Sequence, residues 1–276
     1  MSAPTLSGGS RIDAATGFTI DHLSDAGWRE KGLRSFMHYR DLGLTEATSG
    51  RLRAEHIRTH KPGAQGTGWH CHDLDFQFVY VLNGFVEFTA EGHGDIRLEA
   101  GGCAHIPPFT MHDETRFSDD FEVLEITIPA VVQTLAKKPE DRAGRPDAKF
   151  AASHLGPDSF APGVGPRSFL EYRELGVTDA TDGRIQIQVV RTNGPCDAST
   201  GWHYHTLEHQ FVYILGGWVR TELEGYGEFL LERGDAMSVP ARHKHDVTGF
   251  SDDFQVLELN APAEFETVSV AAPAPR

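Results

Sequence analysis

The chain has 276 residues, a formal net charge of −15 and a pI of about 5.4. An acidic surface of this kind repels phosphate backbones and anionic lipid headgroups, which argues against nucleic-acid and membrane-surface roles. No apolar run in the sequence approaches the roughly 20 residues that a membrane-spanning helix needs. The length suffices for two domains of about 100 to 150 residues, each with its own core.

The first 33 residues are predicted to form an N-terminal extension. They lack the basic segment and apolar core of a secretory signal, and a short helix is predicted over residues 25–32, with Ser24 as its candidate cap. The three cysteines, Cys71, Cys103 and Cys196, show no pairing pattern, which is typical of reduced thiols. We therefore expect a cytoplasmic protein.

From residue 34 onward the sequence repeats itself. Residues 34–130 align without a gap with residues 167–263, an offset of 133 positions, and about half of the aligned pairs are identical. Alternating segments such as RLRAEHIRT and RIQIQVVRT, short runs such as QFVYVL and QFVYIL, and regularly placed glycines predict short strands joined by turns. This pattern indicates an all-β fold in each half, either a sandwich or a small barrel.

The predicted organisation is an extension over 1–33, a β domain over 34–130, a connector over 131–166, a second β domain over 167–266 and a flexible tail over 267–276. The connector begins with VVQTLAKK, which is compatible with two helical turns. The first strands of the halves differ, because Arg53 and Glu55 correspond to Gln186 and Gln188. If these side chains face inward, the two cavities are not equivalent; if they face outward, the change is of no consequence.

One polar set recurs in both repeats at the same spacing. It consists of His70, His72, Gln77 and His112 in the first copy and of His203, His205, Gln210 and His245 in the second. Residues i and i+2 of a strand share a face, so each His-x-His pair projects together. The glutamine follows five positions later, an odd step that requires a bulge or bend, and an antiparallel neighbouring strand could deliver the third histidine. Because these sets persist while their neighbours diverge, we expect one divalent transition metal per domain, namely Fe, Mn, Ni, Co, Cu or Zn.

The pattern G-x-H-x-H-x4-[E/Q]-x6-G followed by G-x5-P-x4-H resembles the two motifs of the cupin superfamily, and its duplication resembles a bicupin. The resemblance covers about 190 residues. It implies two tandem jelly-roll β-barrels, each with one metal held by the recurring set, and is compatible with a homodimer. Two departures stand out: the usual acidic ligand is Gln77 or Gln210, and the usual glycine of the second motif is Phe109 or Arg242.

A glutamine ligand alters the expected chemistry. Three neutral imidazoles and a neutral amide leave the charge of a divalent ion uncompensated, which makes it a stronger Lewis acid. The set also lacks a carboxylate that could serve as a general base beside the metal. Alternatively, the glutamine lies behind the ligands and water takes its place, since amide oxygens are weaker ligands than carboxylates.

Positions around the motifs that differ between the repeats are candidates for substrate binding. They are Phe76, Phe109 and Met111 in the first repeat and His209, Arg242 and Lys244 in the second. If they face the cavities, the first pocket is apolar and suits an aromatic ligand, whereas the second is cationic and Arg242 can orient a carboxylate or phenolate. If they lie on rim loops, they affect only solubility.

Three functions fit these observations, each with a small molecule as the partner. The first is a metal-dependent dioxygenase for a small enolisable or aromatic substrate, similar to bicupin quercetinases; the spacing of four residues between His72 and Gln77 favours it, and the missing acidic ligand counts against it. The second is a redox-neutral isomerase, cyclase or aminohydrolase, favoured by the two glutamines. The third is a non-catalytic bicupin that binds or senses a small molecule. The sequence favours the dioxygenase.

Overall fold

The computed structural model describes residues 10–24, 27–30, 34–61, 66–140, 147–194 and 199–273. The chain folds into two compact units. The N-terminal unit comprises Ser24–Gly156 and Leu175–Asp182, and the C-terminal unit comprises Met1–Leu23, Pro157–Glu174 and Gly183–Arg276. The described residues are almost entirely in strands and turns, with two four-residue helices, α1 (Leu44–Ala47) and α2 (Val177–Ala180), and a 3-10 turn at Gly165–Arg167.

The first fourteen strands are β1 (Arg11–Asp13), β2 (Phe18–Asp21), β3 (Arg29–Glu30), β4 (Met37–Asp41), β5 (Arg53–Thr59), β6 (Cys71–Asp73), β7 (Phe76–Asn83), β8 (Phe85–Ala90), β9 (Gly94–Glu99), β10 (Cys103–Ile106), β11 (His112–Phe117), β12 (Glu122–Ile128), β13 (Gln133–Leu135) and β14 (Ala151–Ser153). The remaining strands are β15 (Ala161–Pro162), β16 (Leu170–Glu174), β17 (Gln186–Thr192), β18 (His203–His205), β19 (His209–Gly216), β20 (Trp218–Leu223), β21 (Gly227–Glu232), β22 (Ala236–Val239), β23 (His245–Phe250), β24 (Gln255–Ala261) and β25 (Thr267–Ser269).

The N-terminal unit is built from antiparallel sheets with an apolar core between them. One sheet has the order β14-β10-β7-β12-β5-β4-β3, a second has the order β11-β8-β9, and β13 pairs with β6. Strand β8 shows why the layers form: Val86, Phe88 and Ala90 are buried while the intervening residues are not, so one face of the strand is apolar. These side chains pack against Ile57 and Val81 of the larger sheet.

The C-terminal unit repeats this architecture. Its two sheets have the orders β1-β2-β22-β19-β24-β17-β16-β15 and β21-β20-β23-β18-β25. Strands β7, β11 and β12 have counterparts in β19, β23 and β24 at the offset of 133 positions seen in the sequence. Its core joins the two layers through residues such as Ile214, Val219, Leu231 and Phe250. Each unit is therefore a jelly-roll β-sandwich, which confirms the predicted all-β class.

The described part of the predicted N-terminal extension contributes strands to a folded unit. Strands β1 and β2 join the large sheet of the C-terminal unit through pairing of β2 with β22, and Phe18 is fully buried there. Of the predicted helix over residues 25–32, only 27–30 are described, and Arg29–Glu30 form a strand because their backbone pairs with β4.

The connector and the tail also contribute strands. The predicted helical turns at the start of the connector are wrong, since Gln133–Leu135 form β13 and pair with β6, and β14 extends the sheet beside β10. The described part of the predicted flexible tail holds β25, which pairs with β18. Both β13 and β25 thus lie beside strands that carry the histidine motifs.

Two further expectations concern the thiols and the membrane. Cys71 and Cys103 are buried and form no disulfide among the described residues, in line with reduced thiols, and Cys196 lies outside the described residues. Among the described residues no helix is both long enough and apolar enough to cross a membrane.

Candidate metal centres

The three histidines of the first repeat converge in the N-terminal unit. His70 and His112 are cross-strand partners joined by two backbone hydrogen bonds, from His70 N to His112 O at 3.0 Å and from His112 N to His70 O at 2.8 Å. Their ring centroids lie 4.3 Å apart, and the ring of His72 lies 4.9 Å from that of His70 and 5.2 Å from that of His112. One nitrogen of each ring lies within 4.8 Å of the others, a spacing that one metal ion can bridge.

Hydrogen bonds at Nδ1 fix which ring nitrogens face the centre. His70 Nδ1 donates to the Gly68 carbonyl at 2.7 Å and His112 Nδ1 donates to the Thr110 carbonyl at 2.9 Å. A carbonyl oxygen only accepts, so in the neutral rings the proton is on Nδ1 and Nε2 carries a lone pair. The Nε2 atoms of His70 and His112 are buried and have no hydrogen-bond partner within the described residues. Two orphaned acceptors aimed at one point are what a metal would satisfy, so the donor set fits a divalent ion.

The third imidazole is oriented by the strand that the sequence assigned to the connector. Thr134 Oγ1 of β13 is hydrogen-bonded to His72 Nδ1 at 3.1 Å. In the C-terminal unit Thr267 Oγ1 of β25 makes the same contact with His205 Nδ1 at 3.0 Å. Both threonines leave Nε2 of their histidine free to act as a ligand.

The C-terminal unit brings together His203, His205 and His245 in the same way. His203 and His245 are cross-strand partners with ring centroids 4.3 Å apart, and one nitrogen of each of the three rings lies within 4.8 Å of the others. His203 Nδ1 donates to the Gly201 carbonyl at 2.7 Å and His245 Nδ1 donates to the His243 carbonyl at 3.0 Å. Each unit therefore carries a site for one divalent metal ion.

Burial favours the neutral form of five of these rings. It lowers the pKa of His72 to about 4 and the pKa values of His205 and His245 to about 3, and it also lowers those of His112 and His203. A neutral imidazole is the form that binds metal, so the sites are ready to coordinate at neutral pH.

The two glutamines reach the centres from β7 and β19. Two bend residues, Leu74 and Asp75, separate β6 from β7 and correct the odd spacing between His72 and Gln77. Gln77 Nε2 donates to Glu125 Oε1 at 3.0 Å, while its Oε1 is buried without a hydrogen-bond partner in the described residues. The free oxygen is the atom that a metal would take, and the amide is held by a carboxylate that the sequence analysis missed.

Glu125 is an ionised and largely buried group. Burial raises the pKa of its carboxyl, but Arg53, His72 and the Gln77 amide together bring it below its usual value. Arg53 Nη2 donates to Glu125 Oε2 at 3.1 Å. The counterpart Glu258 accepts from two amides instead, Gln210 Nε2 at 2.8 Å and Gln188 Nε2 at 2.9 Å. The signal for both acids was their recurrence in FEVLEITI and FQVLEL at the repeat offset.

Glu114 corrects the expectation that no carboxylate stands beside the first centre. Its Oε2 lies 4.0 Å from His70 Nε2 and its Oε1 lies 3.8 Å from His112 Nε2. Arg34 Nη2 lies 3.4 Å from Glu114 Oε2, and Thr67 Oγ1 also donates to that oxygen. Burial would raise the pKa of Glu114, but Arg34 and the nearby histidines lower it to about 2, so the group is a carboxylate. The alternation His112-x-Glu114 on one strand was the available signal, since residues i and i+2 share a face.

The repeat position equivalent to Glu114 is Val247, so the second centre has no such carboxylate. Arg34 has its counterpart in Arg167, which lines the cavity at the second centre. Both arginines open their repeats in the motif RSF, and neither was singled out by the sequence analysis.

The cavities at the two centres differ in polarity. A cavity of about 600 Å³ opens onto His70, His72 and Gln77 and is also lined by Arg34, Arg53, Glu55, Glu125 and the exposed Trp69. A cavity of about 160 Å³ at the second centre is walled mainly by aliphatic and aromatic side chains, with Arg167 and Glu258 as its charged lining residues. Arg53, Glu55 and Gln188 thus face inward, which makes the two cavities inequivalent.

The first cavity is lined by charged side chains and the second mainly by apolar ones, whereas the sequence predicts an apolar first pocket and a cationic second pocket if the candidate residues face the cavities. None of the six residues predicted to bind substrate lines these cavities. Phe76 is buried and stacks on His105 with ring centroids 4.8 Å apart, and Phe109 is buried on the loop before β11. Met111 is half-buried with its carbonyl bound to Glu91 N.

The second-repeat candidates lie outside the lining of the cavity at the second centre. His209 begins β19 and is half-buried, Arg242 is exposed, and Lys244 pairs with Glu224 at 2.9 Å. Phe109 and Arg242 have φ angles of 58° and 56°, so the left-handed conformation of the usual motif glycine persists at both positions. The turn geometry is kept without the glycine.

The comparisons with known proteins agree with this fold. The family model described as Cupin domain matches residues 56–127 and 194–258. A search of curated proteins finds no significant match. A single-residue mutant of Bacillus subtilis oxalate decarboxylase is 17% identical with a TM-score of 0.66, and the match covers 97% of this chain and 82% of that one.

Two other solved structures are similar to the chain. Lactobacillus farciminis oxalate decarboxylase in a formate complex is 14% identical with a TM-score of 0.66, covering 91% of this chain and 88% of that one. The protein Ylba from E. coli is 14% identical with a TM-score of 0.64, covering 94% of this chain and 96% of that one. At these identities the likeness concerns the fold. Because the cupin model matches both repeats and each repeat folds as a jelly roll around a histidine-lined site, the chain is a bicupin of the cupin superfamily.

Proposed function

We propose that the N-terminal unit is the catalytic half of a metal-dependent dioxygenase that acts on a small enolisable or aromatic substrate. The observation that carries this proposal is the carboxylate of Glu114, 3.8 Å from His112 Nε2 and 4.0 Å from His70 Nε2. The spacing of four residues between His72 and Gln77 resembles quercetinases, and the absence of an acidic ligand was the feature that opposed this resemblance. Glu114 supplies that acid from a different strand.

The residues present suit a divalent ion. His70, His72 and His112 would hold it, with Glu114 and the Gln77 Oε1 as the remaining protein donors. A bound metal would supply Lewis acidity, which favours the deprotonated form of an enol or phenol at the open position. Among the similar structures, the Bacillus subtilis oxalate decarboxylase is described with Mn(II) centres, which supports a redox-active ion of that kind.

The charges around the first centre match a singly charged anion. Arg34 and Arg53 contribute two positive charges, and Glu55, Glu114 and Glu125 contribute three negative ones. With a divalent ion in place the site carries one net positive charge, which an enolate or phenolate neutralises. Trp69, which is 49% exposed, offers its ring at the cavity wall to a planar substrate.

The test combines elemental analysis of the purified protein with oxygen uptake. Flavonols and 1,3-diketones are the probes, because both are enolisable and differ in size. We expect Fe, Mn, Ni or Cu in the protein and oxygen consumption that depends on the probe. Zinc as the bound metal, with turnover unchanged when oxygen is removed, would sink the proposal.

A redox-neutral isomerase, cyclase or aminohydrolase is the second candidate. It is favoured by the C-terminal unit, where His203, His205, His245 and Gln210 are accompanied by Val247 instead of a carboxylate. Such a centre keeps the full charge of the metal and polarises a carbonyl without needing oxygen. Turnover that persists under nitrogen and is lost in His245→Ala but kept in His112→Ala would establish this candidate. A chain that binds small molecules without turnover in either atmosphere would instead be a binding bicupin.

A further inference from the structure

The two centres contain an arginine at the same repeat position, but the side chains next to this arginine differ. In the N-terminal unit, Arg34 lies 3.4 Å from Glu114 and is thereby neutralised. In the C-terminal unit, the place of Glu114 is taken by Val247, and within the described part of the chain no ion pair joins Arg167 to a carboxylate. Arg167 is exposed and is hydrogen-bonded to the side chain of Tyr172.

Arg167 lies at the second centre, because it lines the same cavity as the three histidines. Glu258, the carboxylate on the wall, already accepts from the amides of Gln188 and Gln210. The guanidinium is therefore the available charged donor at this cavity, and a guanidinium binds carboxylates through two parallel hydrogen bonds.

The remainder of the cavity selects for an apolar group. Its lining includes Leu170, Val212, Ile214, Val219, Phe250 and Phe254. Its volume of about 160 Å³ is close to that of an apolar cavity of about 150 Å³ that binds benzene in another protein. A ligand for this site combines one anionic end with an apolar part of about that size.

We propose that the C-terminal unit binds a monocarboxylate with a benzene-sized apolar group, with the carboxylate on Arg167 and the apolar group in the cavity. This assigns the second unit a ligand of a different class from the enolisable substrate of the first. The difference follows from one substitution between the repeats, Glu114 against Val247. It goes beyond the proposed function, because it concerns the other unit and involves no turnover.

Calorimetric titration of the protein as purified tests this assignment with phenylacetate as the probe. Phenylacetamide has nearly the same shape without the charge, and acetate has the charge without the ring. We expect phenylacetate to bind at least about tenfold more tightly than either, which corresponds to about 1.4 kcal/mol. Equal binding of phenylacetate and phenylacetamide, or no binding of phenylacetate, overturns the proposal.

Three variants locate the site. Arg167→Gln should weaken phenylacetate binding at least about tenfold, whereas Arg34→Gln, its matched control in the other unit, should leave it unchanged. Val247→Glu should also abolish binding, because the new carboxylate would pair with Arg167 as Glu114 pairs with Arg34. An unchanged affinity in Arg167→Gln and Val247→Glu, or an equal loss in Arg34→Gln, would refute the assignment. Since binding is measured without turnover, failure here is distinguishable from failure of the oxygen-uptake test.

Discussion

Gln77 Nε2 donates a hydrogen bond to Glu125 Oε1 at 3.0 Å, and Gln210 makes the equivalent contact with Glu258 at 2.8 Å. This pairing accounts for the amide at a position that is usually acidic in the superfamily. Glu125 is largely buried and ionised, so its neighbour must donate a hydrogen bond. A glutamate in place of Gln77 would set two carboxylates against each other away from water.

Replacing the donor amide of Gln77 with a carboxyl group should therefore destabilise the protein. Gln77→Glu should lower the free energy of unfolding of the metal-free protein by about 1 to 3 kcal/mol, because a buried hydrogen bond is lost and two acids compete for one proton. The double variant Gln77→Glu/Glu125→Gln restores one acid and one amide and should recover most of the loss. Urea denaturation measures the free energy of unfolding of both variants. A double variant no more stable than the single one would show that the amide–carboxylate pair is not the cause.

Glu114 is expected to contribute to metal binding in the N-terminal unit. Glu114→Gln keeps the size of the side chain but removes its charge, and we expect metal affinity at that centre to fall about 10- to 100-fold, the range typical of groups that support a metal site. Competition with a chromogenic chelator measures the affinity, and Glu99→Gln, an exposed position in the same unit, is the control. Unchanged metal affinity in Glu114→Gln would remove the basis of the dioxygenase proposal.

The threonines of β13 and β25 should each affect the metal affinity of one centre only. Thr134→Val removes the hydrogen bond to His72 Nδ1, and Thr267→Val removes the bond to His205 Nδ1. Since these bonds orient the ring of a ligand, each change should weaken metal binding by about tenfold at its own centre only. Metal titration of both variants is the measurement. If binding in both variants matched that of the unaltered protein, the two strands would have no role in the sites.

Acidification should destabilise the metal-free protein. The pKa values of His205 and His245 fall from 6.5 to about 3 on folding because burial disfavours the charged ring. Between these values the unfolded chain binds more protons than the folded one, so this stability is fully present above pH 6.5 and is lost as the pH falls toward 3. His245→Gln should flatten the dependence of the melting temperature on pH in this range, whereas a change at the exposed His154 should not. If the melting temperature of His245→Gln depended on pH as steeply as that of the unaltered protein, burial of His245 would not be the cause of the acid sensitivity.

The histidine sets were predictable because they depend on local geometry. His70 and His72 share a strand face by alternation, and the repeat showed that His112 belongs with them. The strand class was also readable from period-two segments such as that of β17.

What the sequence did not show depends on pairing between distant segments. Whether Gln133–Leu135 forms a helix or a strand is decided by β6, some 60 residues away, and not by local propensity. Glu125 meets Gln77 only because β12 lies beside β7 in a register that makes them diagonal neighbours. Candidates such as Phe76 and Arg242 were chosen by proximity in sequence to the motifs, but much of the cavity lining comes from segments that are distant in the sequence, such as Arg53 before the first motif and Glu258 after the second.

Metal stoichiometry tests the central claim, that each unit holds one metal at its own histidine set, most directly. Inductively coupled plasma mass spectrometry on the purified protein should find one transition metal ion per unit. His112→Ala and His245→Ala should each lose the ion of one unit while keeping that of the other, since the two sets share no ligand. A full complement of metal in either variant, or metal-free protein that cannot be loaded at all, would contradict the account.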